Sequence, residues 1–137
     1  MTRIQPVRSR KQRGQSLLET ALMIVVIFNV VFWMFEVGWI IYTHSVMADA
    51  ANEGVRHAIV SSGGDPAGTR AKVLTFAQTS LHNTSAISVS VNFPAGSSAP
   101  PNPVEVTVTY TYVPWLSGFI NTPTIRAYAK GNMVVGP

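Results

Sequence analysis

The residues whose types and spacing suggest chemistry stand near the start of the chain: Gly14 and Gln15, with Glu19 four residues on. Arg3, Arg8, Arg10, Lys11 and Arg13 precede the glycine, and an apolar run from Thr20 to Tyr42 follows the carboxylate. The chemistry this arrangement supports is proteolytic. A cut after Gly14 leaves Gln15 as the new N-terminus and creates an α-ammonium at the start of a helix about to pack among apolar neighbours. A buried, unpaired charge there is very costly. Glu19, one turn along, can pair with that amine on the same or an adjacent subunit, and in a first helical turn the macrodipole favours an anion. Two other fates stay open. The chain could remain an uncleaved anchor, with Glu19 capping the helix at the membrane surface. It could also be cut as a secretory precursor at Ala48-Asp49-Ala50, a small-x-small pattern. Against the latter, the apolar run exceeds the roughly 7–15 residues of a signal core, and helical periodicity continues through residues 46–60.

Catalytic constellations are missing elsewhere. His44 and His57 are thirteen residues apart, on different faces of a helix, and His82 is distant. A metal site needs ligands at closer or facing spacing, so neither metal nor cofactor is expected. The sequence lacks a Gly-rich phosphate loop, a G-x-S-x-G elbow and HExxH. Beyond Glu36, the acidic side chains after the apolar run are Asp49, Glu53, Asp65 and Glu105, which recommend no paired-carboxylate hydrolase. Asn83-Thr84-Ser85 fits an N-glycan acceptor pattern, a signal too common to carry weight. No enzyme is expected.

Charge and length bound the remainder. The sequence pI is ≈ 9.9, but five of the ten Lys and Arg precede Gly14. Behind it, five basic residues face six acidic ones, a net −1. Phosphate binding needs a clustered basic face, so nucleic acid is not an expected partner; the basicity sets topology. The 137 residues hold a membrane segment and one modest domain, and the absence of cysteine excludes disulfides and thiolate chemistry. An exported domain without disulfides is held by packing or by neighbours, as in an assembly component.

Between Thr20 and Trp39 the strongly polar side chains are Asn29 and Glu36. About 20 such residues at roughly 1.5 Å each span a hydrocarbon core of about 30 Å. Positive charges before the run and few just after it put the N-terminus in the cytoplasm and the C-terminus outside. Asn29 is placed mid-membrane for an interhelical hydrogen bond of about 0.6 kcal/mol. Glu36, about 24 Å along the helix from Thr20, has two readings: it snorkels to water beside Trp33, Trp39 and Tyr42, or it packs against a neighbouring subunit's polar group.

The basic leader, glycine, glutamate five residues on and apolar helix resemble the leader junction of type IV pilin-like proteins. Glu36-Val37-Gly38-Trp39 and Ala50-Ala51-Asn52-Glu53-Gly54-Val55-Arg56-His57-Ala58 extend the likeness to the TadE-like family, small pseudopilins of the tight-adherence (Flp) pilus system. Val37 stands where that family usually has an aromatic, and Asn52 where arginine is common. Neither departure touches the junction. The resemblance is strong over residues 13–60 and architectural afterwards. It implies cleavage by a prepilin peptidase and partnership with a major pilin, other pseudopilins, an inner-membrane assembly platform and an ATPase motor.

These functional residues must be positioned by a helix and a head. Met47, Ala50, Ala51, Gly54, Val55, Ala58 and Ile59 recur at helical spacing, with Glu53 and Arg56 set to pair at i, i+3. Ala50, Gly54 and Ala58 form a small-xxx-small row for close packing against the head or another helix, since a mid-helix glycine otherwise costs about 1 kcal/mol; the alternative for Gly54 is a tolerated bend. Ser61-Ser62-Gly63-Gly64-Asp65-Pro66 ends that helix. A second helix is predicted from Pro66 to Leu81, capped by Asp65, with Ala67, Ala71, Leu74, Ala77 and Leu81 as its apolar face and Val73 beside it. Alternation predicts strands over Ile87–Phe93 and Val104–Tyr112, joined by the loop Pro94–Pro103, and a third over about Thr124–Met133 that Gly131 interrupts. In Pro114–Ile120, large apolar residues could contact a subunit, dip toward the membrane or tuck under the sheet as core; core is preferred.

The expected fold is α+β: a long N-terminal transmembrane helix continuing into a small extracytoplasmic head, with a second helix and a three-stranded antiparallel sheet, a type IV pilin-like architecture. Residues 1–14 form a basic cytoplasmic leader, residues 15–62 the membrane helix with its amphipathic extension, and residues 63–137 the head. The function expected is that of a pseudopilin or minor pilin in Tad pilus assembly, seated in membrane lipid. The alternative is a single-pass anchored extracytoplasmic binding domain unrelated to pili.

Overall fold

The computed structural model describes residues 10–61, 64–81, 83–115 and 122–134, with side chains from residue 14 onward. The fold is α+β. Helix α1 runs Arg10–Val60, helix α2 runs Pro66–Ser80, and strands β1 (Ile87–Asn92), β2 (Pro103–Thr111) and β3 (Thr124–Asn132) follow. The chain divides into two compact units between Val37 and Gly38, inside α1.

The first unit contains the apolar part of α1. From Leu17 to Phe35 its large apolar side chains are exposed all around the helix, Phe35 to 72%. An 18-residue window here has a mean hydropathy of 2.2 with none of it buried, which makes α1 long and apolar enough to cross a membrane. A helix that is apolar on every side and covered by nothing among the described residues needs an apolar solvent or apolar neighbours. This fits a single-pass membrane protein.

The second unit is built on the alternation in the strands. The sheet order is β1-β2-β3, both pairs antiparallel. Val104, Val106 and Val108 on β2 are fully buried, flanked by Ile87, Val89 and Val91 on β1 and by Ile125, Ala127 and Ala129 on β3. Their neighbours on the other face are polar, so one face of the sheet is core and the other is wet. The C-terminal part of α1 covers the core face with Val46, Met47, Ala50, Ala51, Val55 and Ala58, and α2 adds Val73 and Ala77.

Asp65 caps α2 by accepting from the Gly68 N–H at 3.1 Å, with Pro66 in the first turn, as its sequence predicts. The buried face of α2 differs from the expected one. Thr69, Val73 and Ala77 are buried, with Leu81 beyond the helix end, whereas Ala67 and Ala71 are exposed. Hydrophobicity passed over Thr69 because its hydroxyl is polar; in the fold that hydroxyl is hydrogen-bonded and only its methyl faces the core. Gly131 does not interrupt β3, which continues to Asn132 and pairs Gly131 with Val104. The preference for Pro114–Ile120 as core is overturned in part: Pro114 is buried, but Trp115 is 89% exposed. Residues 116–120, like most of the leader, Ser62-Gly63 and His82, lie outside the described residues.

Candidate assembly site

The junction residues sit on a continuous helix. Since α1 already includes Arg10, Gly14 and Gln15 are helical and Glu19 lies beyond the first turn of the uncut chain. The macrodipole argument for Glu19 therefore applies only once the chain starts at Gln15. The i, i+4 spacing does bring the pair together: Gln15 Nε2 donates to Glu19 Oε1 at 3.4 Å. Thr20 returns its hydroxyl to the Ser16 carbonyl at 2.9 Å, which leaves that polar pair satisfied inside the helix. Farther along, Asn29 is exposed and Glu36 is partly covered and engaged in an interaction.

Ala50, Gly54 and Ala58 are all buried. A β-carbon on Gly54 would meet Val73 Cγ2 at 2.5 Å, Val106 Cγ1 at 3.2 Å and Thr69 Cγ2 at 3.7 Å, so the row is where α1 approaches both α2 and the sheet. Beside it, Glu53 lies 4.0 Å from Arg56 and 3.9 Å from Lys72 of α2, both pairs largely in water and worth little.

A polar cluster closes the end of α1 onto α2. His57 Nδ1 lies 3.3 Å from both Thr69 Oγ1 and Ser61 Oγ. Thr69 donates its hydroxyl hydrogen to the Gly64 carbonyl at 3.3 Å, and Ser61 donates its own to the His57 carbonyl at 2.7 Å. Both oxygens thus face Nδ1 as acceptors, which assigns the proton to Nδ1. Hydroxyls committed to backbone carbonyls, with His57 donating rather than accepting, do not make an activated nucleophile. The cluster is a helix-to-helix tie.

On the wet face of the sheet, Glu105 pairs with Lys130 at 3.3 Å across the β2–β3 register. A hydrogen bond from the Tyr128 hydroxyl, with a smaller contribution from Lys130, holds the Glu105 carboxyl below its ordinary range, and the same bond pushes the Tyr128 hydroxyl up. Asn83 Oδ1 accepts from Ser85 N–H and hydroxyl at 3.1 and 2.6 Å, so the Asn83-Thr84-Ser85 pattern forms a turn. Among the described residues no group of His, Asp and Glu is placed to hold a metal ion.

With this geometry in view, most of α1 is similar to a known family. Residues 14–56 match the family model of TadE-like proteins. The TadE-like stretch opens at Gly14, contains Gln15, Glu19, Asn29 and Glu36, and closes at Arg56, past Ala50 and Gly54. It covers less than a third of the chain and lies wholly on α1; α2 and the sheet fall outside it. No curated protein and no solved structure matches the chain.

The sequence missed two of the residues that organise α1 in the head. Thr43 is fully buried and gives its hydroxyl to the Trp39 carbonyl at 2.8 Å; Thr69 behaves alike. A threonine at i−4 from the first buried methionine is the signal available, because back-bonding hides its polarity.

Proposed function

We propose that the chain is a non-catalytic pseudopilin acting in assembly of a Tad (Flp) type pilus. It is inserted with its N-terminus in the cytoplasm and cut between Gly14 and Gln15 by a prepilin peptidase. The helix from Gln15 then packs laterally among its kin in membrane and filament, with its head on the periplasmic or extracellular side. The observation that carries this reading is the pairing of Gln15 with Glu19 at the opening of a TadE-like helix that is apolar on every side. Severing the bond before Gln15 replaces an amide with an ammonium one turn from that carboxylate. In an apolar bundle an ammonium without a counter-charge costs several kcal/mol or neutralises. Glu19 therefore makes the difference between a chain held in lipid and one that stacks beside a neighbour.

The partners that follow are the peptidase, a major pilin and other pseudopilins, an inner-membrane assembly platform with its ATPase, and membrane lipid. Asn29 and Glu36 are polar packing positions on the same helix. The test is Glu19→Ala in the native host. Surface pili are expected to be lost with membrane levels of the protein unchanged; unchanged piliation removes the assembly role given to the carboxylate.

A further inference from the structure

The second unit carries an exposed aromatic patch that its own core does not use. Trp39 and Tyr42 stand with ring centroids 5.5 Å apart. Trp39 also lines a cavity of ≈ 210 Å³ with Leu81, Asn83, Tyr110, Tyr112, Val113 and Trp115. Trp115 projects 89% exposed while Pro114 behind it is buried, so the backbone is held and the ring is presented. Val113, on the other side of that proline, is exposed as well. Patches of this kind on a folded unit mark a contact surface.

Three features of the patch identify what it contacts. Trp39 and Tyr42 stand at the end of the apolar run of α1, so part of the patch belongs to the stretch where the helix leaves hydrocarbon. Its exposed rings are Trp and Tyr, apolar bodies with one polar N–H or O–H, the side chains that bilayer headgroup layers take up. Among the described residues no charged side chain lines the cavity, as an interface steered by ion pairs with another protein would require. We propose that Trp115 and Val113 insert into the headgroup–acyl boundary of the membrane beside Trp39 and Tyr42, seating the head on the lipid surface. The inference rests on the reading of α1 as a membrane span. It adds a second, tertiary anchor, supplied from a loop far along the chain from the helix.

Tryptophan quenching in the reconstituted full chain tests this, because the sequence holds only three tryptophans. Trp33→Phe with Trp39→Phe leaves Trp115 as the reporter, and Trp39→Phe with Trp115→Phe leaves Trp33. Each is placed in phosphatidylcholine–phosphatidylglycerol vesicles carrying a nitroxide either just below the headgroups or at the bilayer centre. Trp33, one turn past the mid-membrane Asn29, is expected to respond to the lipid nitroxides, and more to the central one than Trp115 does. Trp115 is expected to respond to the shallow one, with blue-shifted emission and a loss of quenching by aqueous iodide relative to N-acetyltryptophanamide. Trp115 quenched fully by iodide, or shielded from iodide and lipid nitroxide alike as in a protein contact, overturns the anchor. A response from Trp33 without one from Trp115 overturns the anchor alone, whereas silence from Trp33 removes the span reading with it.

Discussion

Gly54 on α1 faces Val73 on α2 so closely that a β-carbon on the glycine would stand 2.5 Å from Val73 Cγ2. Valine is stiff at χ1 and cannot swing away. Gly54→Ala gains about 1 kcal/mol of helix propensity but overpacks the contact by about 1–3 kcal/mol, so a net loss of up to about 2 kcal/mol is expected. Urea unfolding of the detergent-solubilised chain reads it. Combining the change with Val73→Ala should show a coupling of about 0.5–3 kcal/mol in favour of the double variant; additive losses would place the strain elsewhere.

Thr69→Val keeps the shape of a fully buried side chain and removes the hydroxyl that donates to the Gly64 carbonyl and accepts from His57. An orphaned buried partner costs about 1–3 kcal/mol, and the same unfolding measurement should return a loss in that range. Unchanged stability would mean that the tie between the helices contributes nothing net.

The Glu105 carboxyl, held below its ordinary range first by the Tyr128 hydroxyl and then by Lys130, gives the head a pH dependence. A lowered folded value means the unfolded chain takes up the proton more readily. The contribution is complete above the ordinary carboxylate range and is lost as pH falls through the folded value. Tyr128, pushed up by the same bond, contributes below the ordinary tyrosine range and loses its share as pH rises through its folded value. Unfolding midpoints followed against pH should fall at both limits. Glu105→Gln should flatten the acid limb, and an unaltered acid limb in that variant would contradict the assignment.

Much of the fold was legible because periodicity carries it. The alternation of Ile87, Val89 and Val91 and of Val104, Val106 and Val108 matches the burial of β1 and β2, and Met47, Ala50, Ala51, Val55 and Ala58 line the core at the predicted helical spacing. What escaped was polarity concealed by local bonds, as at Thr43 and Thr69, and glycine used for proximity rather than for a break. A β-carbon on Gly131 would lie 2.6 Å from both Ile59 Cδ1 and Val55 Cγ1, so this glycine lets β3 reach α1. That partner is far away in the chain and invisible to a local pattern. At the candidate site, the spacing put Gln15 and Glu19 one turn apart on one face, and the structure adds a side-chain contact between them that the sequence reading did not name, as it did not name the helix already present at Arg10.

The central claim is that cutting the chain before Gln15 converts an anchored precursor into a subunit that can stack with its kin. Its most direct test is the N-terminal sequence and intact mass of the protein recovered from its own membrane with the peptidase present and active. The account predicts a chain beginning at Gln15, and a Gly14→Ala variant that retains its leader. A chain recovered beginning at Met1 or Thr2, or at Ala51, would contradict it.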